Sequence, residues 1–346
     1  MKLTIRPADL KSDKSLIIDT LLRFLTPSSD DRRFSWLYEN NPHGRARAWI
    51  AQDVDNDKTI GISAAFPRRV YIDGKDQLSW VLGDFCVSDT YRTLGPALML
   101  QRASLADADS GEVAFCYDFP SKAMAAVYRR LQITSFGHMI RLAKPLRTDR
   151  KFKELTKSST FGRALTIGGN LLLRLRQQRY RGACDVQVSL HDRDCSNEFS
   201  DLARSIGSRY GVCVQRSAEY LNWRYMNSPL CRYELITGRR SGALLGYAVF
   251  LHEGEDAMLV DLFGAAEDAV LNALIVHGVA LMMTRGVQTL SVGVVESHPW
   301  RGLLEHHGFR AREVSPIMIY MPSNSEFRAV MKKENNWLLM QGDRDS

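Results

Sequence analysis

At the junction between an apolar run and a helix start, residues 87–97 read V-S-D-T-Y-R-T-L-G-P-A. A turn of small residues between strand and helix lets backbone N–H groups point at an anion, and the helix dipole adds roughly 0.3–1 kcal/mol. Arg92 adds a charge, Gly95 and Ala97 permit close approach, and Pro96 gives up an N–H that a helix start leaves unpaired anyway. The chemistry that suits this spacing is the binding of a phosphate or pyrophosphate. The preceding run, Trp80-Val81-Leu82-Gly83-Asp84-Phe85-Cys86-Val87, carries a lone carboxylate among apolar neighbours. Such a group is either the base of a reaction, its pKa raised by burial, or one half of an ion pair with an arginine. Cys86 has nothing basic beside it and reads as packing rather than as a nucleophile.

Apolar periodicity predicts the elements that hold these residues. In the first half it gives a helix at about 13–25, strands near 47–52, 59–72 and 78–88, and a helix at 95–109. A strand at 112–117, a helix at 121–131 and a strand near 134–144 follow. The second half runs in the same order: helix 196–208, strands near 232–237, 243–252 and 256–263, helix 267–284, strand 287–295, helix 299–307, and strands to about 321. Mixed strands followed by crossover helices predict an α+β fold with a mostly antiparallel sheet.

The parallel order has a counterpart in residue identities. F-S-W-L-Y-E-N-N-P (34–42) and L-N-W-R-Y-M-N-S-P (221–229) share Trp, Tyr, Asn and Pro at a constant offset of 187, each in a predicted turn. Downstream, I-G-I-S-A-A-F (60–66) corresponds to L-G-Y-A-V-F (245–250), and Asp84-Phe85 to Asp261-Leu262. This predicts two copies of one domain at 1–145 and 183–325, joined by a basic linker at 146–182 and followed by a tail at 326–346. After Asp261-Leu262-Phe263-Gly264 the second copy continues A-A-E-D, whose carboxylates would repel a pyrophosphate. Its anion loop is therefore degenerate, although Asp261 persists, which favours a structural ion pair for Asp84.

Arg92-Thr93-Leu94-Gly95-Pro96-Ala97 fits the pattern Arg/Gln-x-x-Gly-x-Gly/Ala. With Val87 and Tyr91 at the matching positions, and Asp89 where proline is usual, it resembles the acyl-CoA pyrophosphate loop of the GNAT N-acetyltransferase superfamily. S-K-A-M-A-A-V-Y-R-R-L (121–131) resembles that superfamily's N-x-x-A-x-x-L-Y-x-K-x-G-F helix, with Ser121 for Asn, Met124 for Ala, Gln132-Ile133 for Gly-Phe, and the tyrosine kept as Tyr128. The resemblance implies two tandem GNAT-like domains, the second degenerate, and an N-acyltransferase using acyl-CoA, most simply acetyl-CoA, in direct attack by an amine. It implies that Phe85, Cys86, Val87, Arg92, Thr93, Leu94, Gly95, Pro96 and Ala97 hold the donor. Tyr128 is implied to protonate the leaving thiolate, and Asp84 is the candidate base, with Glu39 and Asp118 as lesser candidates. Trp36 and Tyr38 read as core residues. A non-catalytic acyl-CoA-sensing or scaffold module is the alternative.

Composition bounds the rest. With 45% hydrophobic and 25% charged residues the 346-residue chain reads as a globular protein. The six cysteines form no CxxC pair and no metal spacing, which points to reduced thiols, a cytoplasmic location and no metal. His298, His306 and His307 read as surface or cap residues. Of the net charge of +7, residues 141–181 carry +10 (twelve Lys/Arg against Asp149 and Glu154) and the remainder −3. A basic segment between near-neutral halves, without basic-aromatic interleaving, argues against specific nucleic-acid binding. It suits either a solvated linker or weak contact of 141–182 with an anionic membrane surface. It also suits a small amine acceptor that is anionic or sugar-linked. Oligomeric state is not legible.

Overall fold

The structure is a computed structural model that describes residues 2–91, 94–147, 185–265, 267–322, 325–331 and 337–345. Arg92, Thr93 and most of the basic linker lie outside the described residues. The first half begins with β1 (Leu3–Pro7), α1 (Lys14–Phe24) and α2 (Asp31–Phe34), followed by β2 (Arg47–Asp53), β3 (Lys58–Ile72) and β4 (Lys75–Val87). It ends with α3 (Leu94–Asp107), β5 (Cys116–Asp118), α4 (Lys122–Arg130) and β6 (Ser135–Pro145). The second half opens with β7 (Gln187–His191), α5 (Asn197–Gly207), β8 (Val212–Val214), α6 (Ala218–Leu221), β9 (Tyr233–Arg240) and β10 (Ala243–Glu253). It closes with β11 (Asp256–Gly264), α7 (Asp268–Thr284), β12 (Thr289–Val295), α8 (Arg301–His306), β13 (Arg310–Tyr320), α9 (Arg328–Met331) and β14 (Trp337–Leu338).

Local chemistry explains the main punctuation. Asp73-Gly74 and Ser241-Gly242 both have positive φ at both residues, the geometry that closes two-residue hairpins, and they join β3 to β4 and β9 to β10. Ser121 caps α4 by accepting from the Met124 N–H at 3.2 Å, and Arg129 and Arg130 face the negative end of its dipole. α7 is buried along most of its length, and Gly278 is required there because a Cβ would collide with the Phe250 ring. The segment W-x-Y-x-N-x-P, expected as a turn, forms one turn of π-helix in each half, Ser35–Glu39 and Asn222–Met226.

Among the described residues the strands form one 14-stranded sheet, with path β1-β2-β3-β4-β5-β13-β6-β12-β11-β10-β9-β7. The last long strand of each half sits beside the other half: β13 pairs antiparallel with β5, and β6 with β12. The arrangement is reciprocal at the centre as well. Trp36 Nε1 donates to the Trp223 carbonyl at 2.8 Å, Trp223 Nε1 donates to the Trp36 carbonyl at 2.9 Å, and the two rings stack 4.9 Å apart. The sequence match at offset 187 is thus a contact between equivalent residues, and both tryptophans are core. Among the described residues no helix is long and apolar enough to cross a membrane.

Candidate active site

β4 and β5 are parallel and pair only at Trp80–Cys116 and Val81–Tyr117. Beyond Val81 they diverge, so among the described residues the β5 side of Leu82–Val87 has no strand partner. A cleft of 1060 Å³ fills the divergence. From one face of the sheet α3 lines it with Ala97, Gln101 and Ser104, a single stripe at helical spacing, and α4 with Met124 and Val127. From the other face come Phe24 and Leu25 of the α1 end, Arg33 of α2, and Leu230, Cys231, Arg344 and Asp345 from far along the chain. The cleft is therefore lined from both faces of the sheet.

Phe85, Cys86, Val87 and Ala97, four of the residues expected to hold the donor, line this cleft. Leu94 begins α3 and Gly95 and Pro96 lie in its first turn, just before the cleft-lining Ala97. Asp84 and Phe85 together face the single residue Ser63 of β3, a β-bulge, and Asp84 adopts φ +45°. Ser63 is itself buried and lines the cleft, and among the described residues its hydroxyl has no hydrogen-bond partner.

The bulge turns the Asp84 carboxylate toward α2. Arg33 grips it with both terminal nitrogens, Nη1 to Oδ2 at 2.8 Å and Nη2 to Oδ1 at 2.6 Å, and the Tyr38 hydroxyl donates to Oδ2 at 2.7 Å. The two side chains are 5% and 3% exposed. Burial opposes the guanidinium charge, but the Asp84 carboxylate more than offsets this, so the pKa of Arg33 rises. With both oxygens committed to donors, Asp84 is placed as an ion-pair anchor, not as a base open to an amine. This corrects the catalytic role expected for it.

Asp118, a lesser candidate in the sequence, lies at the end of β5 on the cleft wall. Burial lifts its pKa to about 7, with the Asp345 carboxylate adding to the rise and a hydrogen bond from Tyr128 opposing it. Tyr128 donates that bond at 2.7 Å, and the Gln101 amide approaches the same hydroxyl at 3.5 Å. The Tyr128 ring is 1% exposed, and burial holds its phenol pKa well above the usual range. Tyr128 thus stands behind Asp118 rather than on the cleft wall. Cys86 is equally inert, its thiol pushed up to about 12 by burial. Glu39 accepts from the Ser35 hydroxyl at 2.9 Å and does not line the cleft.

Asp345 was not foreseen. It lies against Gly83, where a Cβ would collide with its carboxylate, and burial followed by the nearby Asp84 charge raises its pKa. Nothing local in Arg344-Asp345 marks it as a site residue. His298 and His307, expected as surface or cap residues, are 3% and 1% exposed, with pKa values lowered to about 3 and about 4 by burial. Among the described residues no three His, Cys, Asp or Glu side chains gather as a metal site.

The second half diverges at the equivalent place, since β11 and β12 pair only as far as Leu259–Val292. There the gap is filled by the chain itself. Met340 bridges Val294, the Val295 N–H donates to the Leu339 carbonyl at 3.1 Å, and Leu262, counterpart of Phe85, donates its N–H to Met340 Sδ at 3.2 Å. Asp343 and Asp261 both bind Arg216, whose side chain is 1% exposed. Met340→Ala, which empties a fully buried wedge, is expected to destabilise the protein by about 2–5 kcal/mol in urea unfolding. A loss below about 1 kcal/mol would mean that the segment only rests on this gap.

No protein-family model and no curated protein matches the sequence. Solved structures match its shape. A probable N-acyltransferase of unknown function from Enterococcus faecalis superposes with a TM-score of 0.66 at 12% identity, over 93% of this chain and 72% of its own. A GCN5-related N-acetyltransferase from Anabaena variabilis gives 0.64 at 11%, over 92% and 72%. Saccharomyces cerevisiae N-myristoyltransferase, with bound myristoyl-CoA, gives 0.60 at 11%, over 92% and 82%. The chain has the fold of the GCN5-related N-acetyltransferases: an α+β arrangement of a mixed sheet flanked by helices.

Proposed function

We propose that the chain is an acyl-CoA-dependent N-acyltransferase with one working site, the cleft between β4 and β5. The observation that carries this reading is the open divergence of those strands with a carboxylate of pKa about 7 on its wall, while the equivalent gap of the second half is filled by Met340. The donor's phosphates go to the start of α3, and its thioester lies beside Phe85–Val87, whose unpaired edge polarises the carbonyl oxygen. Acetyl-CoA is the simplest donor.

The amine must be neutral to attack. A lysine-like amine of pKa about 10 is neutral roughly one part in a thousand at pH 7, a deficit near 4 kcal/mol. In the reaction the nitrogen lone pair bonds to the thioester carbon, the nitrogen sheds a proton to Asp118, the carbon–sulfur bond breaks, and Asp118 returns the proton to the thiolate. Tyr128 positions Asp118 and stabilises it when ionised.

Titration calorimetry with acetyl-CoA tests the reading on wild type and on Gly95→Glu, a substitution at an exposed helix start. One site per chain, lost in the variant, is the expected result. Binding without thiol release on any amine would favour the acyl-CoA-sensing module, and no binding in the wild type would overturn both.

A further inference from the structure

We infer that the acceptor is an amine carried on an apolar body, and that Leu25 and Leu230 form the wall it enters by. This rests on the N-acyltransferase reading of the same cleft. Isolated exposed leucines are ordinary, but here each half of the molecule places one at a single opening. Leu25, at the end of α1, is 45% exposed, and Leu230, 205 residues later, is 37% exposed; both line the cleft. Leu22, 45% exposed, precedes Leu25 by one turn. The same cleft is lined by Phe24, Cys231 and Phe119, and by Asp118 and Asp345.

The lining also carries charge. Its formally charged residues are Arg33, Asp84, Asp118, Arg344 and Asp345. Arg33 is committed to Asp84, and the Arg344 guanidinium lies 5.2 Å from the Phe119 ring centre and 3.5 Å from the Phe119 carbonyl oxygen. Asp118 and Asp345 share this lining with the Arg344 cation, which acts on both of them. An amine on a hydrocarbon suits a lining that joins exposed leucines and phenylalanines to carboxylates.

The test is calorimetric binding of ethylamine, hexylamine and glucosamine 6-phosphate to the full chain, wild type and Leu25→Glu/Leu230→Glu, in the presence of CoA. Each buried methylene strengthens binding by about fourfold. Hexylamine is expected to bind the wild type at least about tenfold tighter than ethylamine, and tighter than glucosamine 6-phosphate. In the double variant that chain-length preference should collapse to near unity while acetyl-CoA affinity and thermal stability hold, both positions being exposed. Tighter binding of glucosamine 6-phosphate, or a chain-length preference that survives the double substitution, overturns the inference. The two readings fail separately. Acetyl-CoA binding without a hexylamine preference sinks the acceptor assignment alone, and a hexylamine preference without acetyl-CoA binding sinks the N-acyltransferase reading and leaves an apolar-amine site.

Discussion

Asp118→Asn is expected to lower kcat/KM for acyl transfer by roughly 10²–10⁴-fold, the contribution of a positioned proton acceptor. The amide keeps the shape of the carboxyl and still accepts a hydrogen bond from Tyr128, but it cannot take a proton. With a pKa of about 7, the wild-type carboxyl is largely ionised above neutrality. The wild-type rate should therefore climb between pH 6 and 8, as Asp118 loses its proton, and the residual rate of the variant should lack that step. A variant with near-normal turnover, or with the same step in its profile, would remove Asp118 from the reaction.

The same group makes a prediction about folding, and its sign is opposite to that of a salt-bridged carboxylate. The folded-state pKa of about 7 lies above the value near 3.9 of an unfolded aspartate, so the native state holds the proton more tightly. The stability it contributes is fully present below about pH 4 and is lost as pH rises through about 7. Asp118→Asn, which cannot ionise, should gain in melting temperature relative to wild type from pH 5 to pH 8. A constant difference across that range would show that the group titrates alike in both states.

Arg33→Met is expected to destabilise the protein by about 3–5 kcal/mol, because it leaves the Asp84 carboxylate buried and without its guanidinium. The Arg33→Met/Asp84→Leu double variant should recover much of that loss, since replacing a whole buried pair by apolar groups of similar volume is often neutral or better. Denaturant unfolding of the single and double variants measures both. If Asp84→Leu alone left stability untouched and abolished turnover, Asp84 would be the base and the ion pair incidental. The bulge sharpens the expectation. An aspartate at φ +45° inside a strand is held against its own preference, and the two guanidinium contacts are what fix it there.

The strand–turn–helix around residues 80–107, the capped helix that carries Tyr128, and the two Trp-Tyr-Asn-Pro segments were all legible from residue types and spacing. Each depends on interactions within a dozen residues: strand alternation, turn glycines, a serine cap and a helical stripe. That is why the order of the main elements in both halves follows from the sequence. The short strands β1, β7, β8 and β14 were not legible, since a few residues carry too little periodicity to separate a strand from a loop.

What remained was decided by distance along the chain. Both Asp84 and Asp118 were candidates, and local sequence cannot show that Arg33, 51 residues before Asp84, closes on it and leaves Asp118 facing the cleft. Nor can it show that β13 settles beside β5, or that Leu230 and Asp345 complete a cleft begun by Phe24 and Leu25. The sequence by itself determined the main elements and their order in both halves. Tertiary structure alone decided which carboxylate is paired, which is available, and what fills the second gap. Charge pairing and strand order are settled by the burial that closes the whole sheet, and a desolvated carboxylate takes whichever guanidinium that closure brings to it.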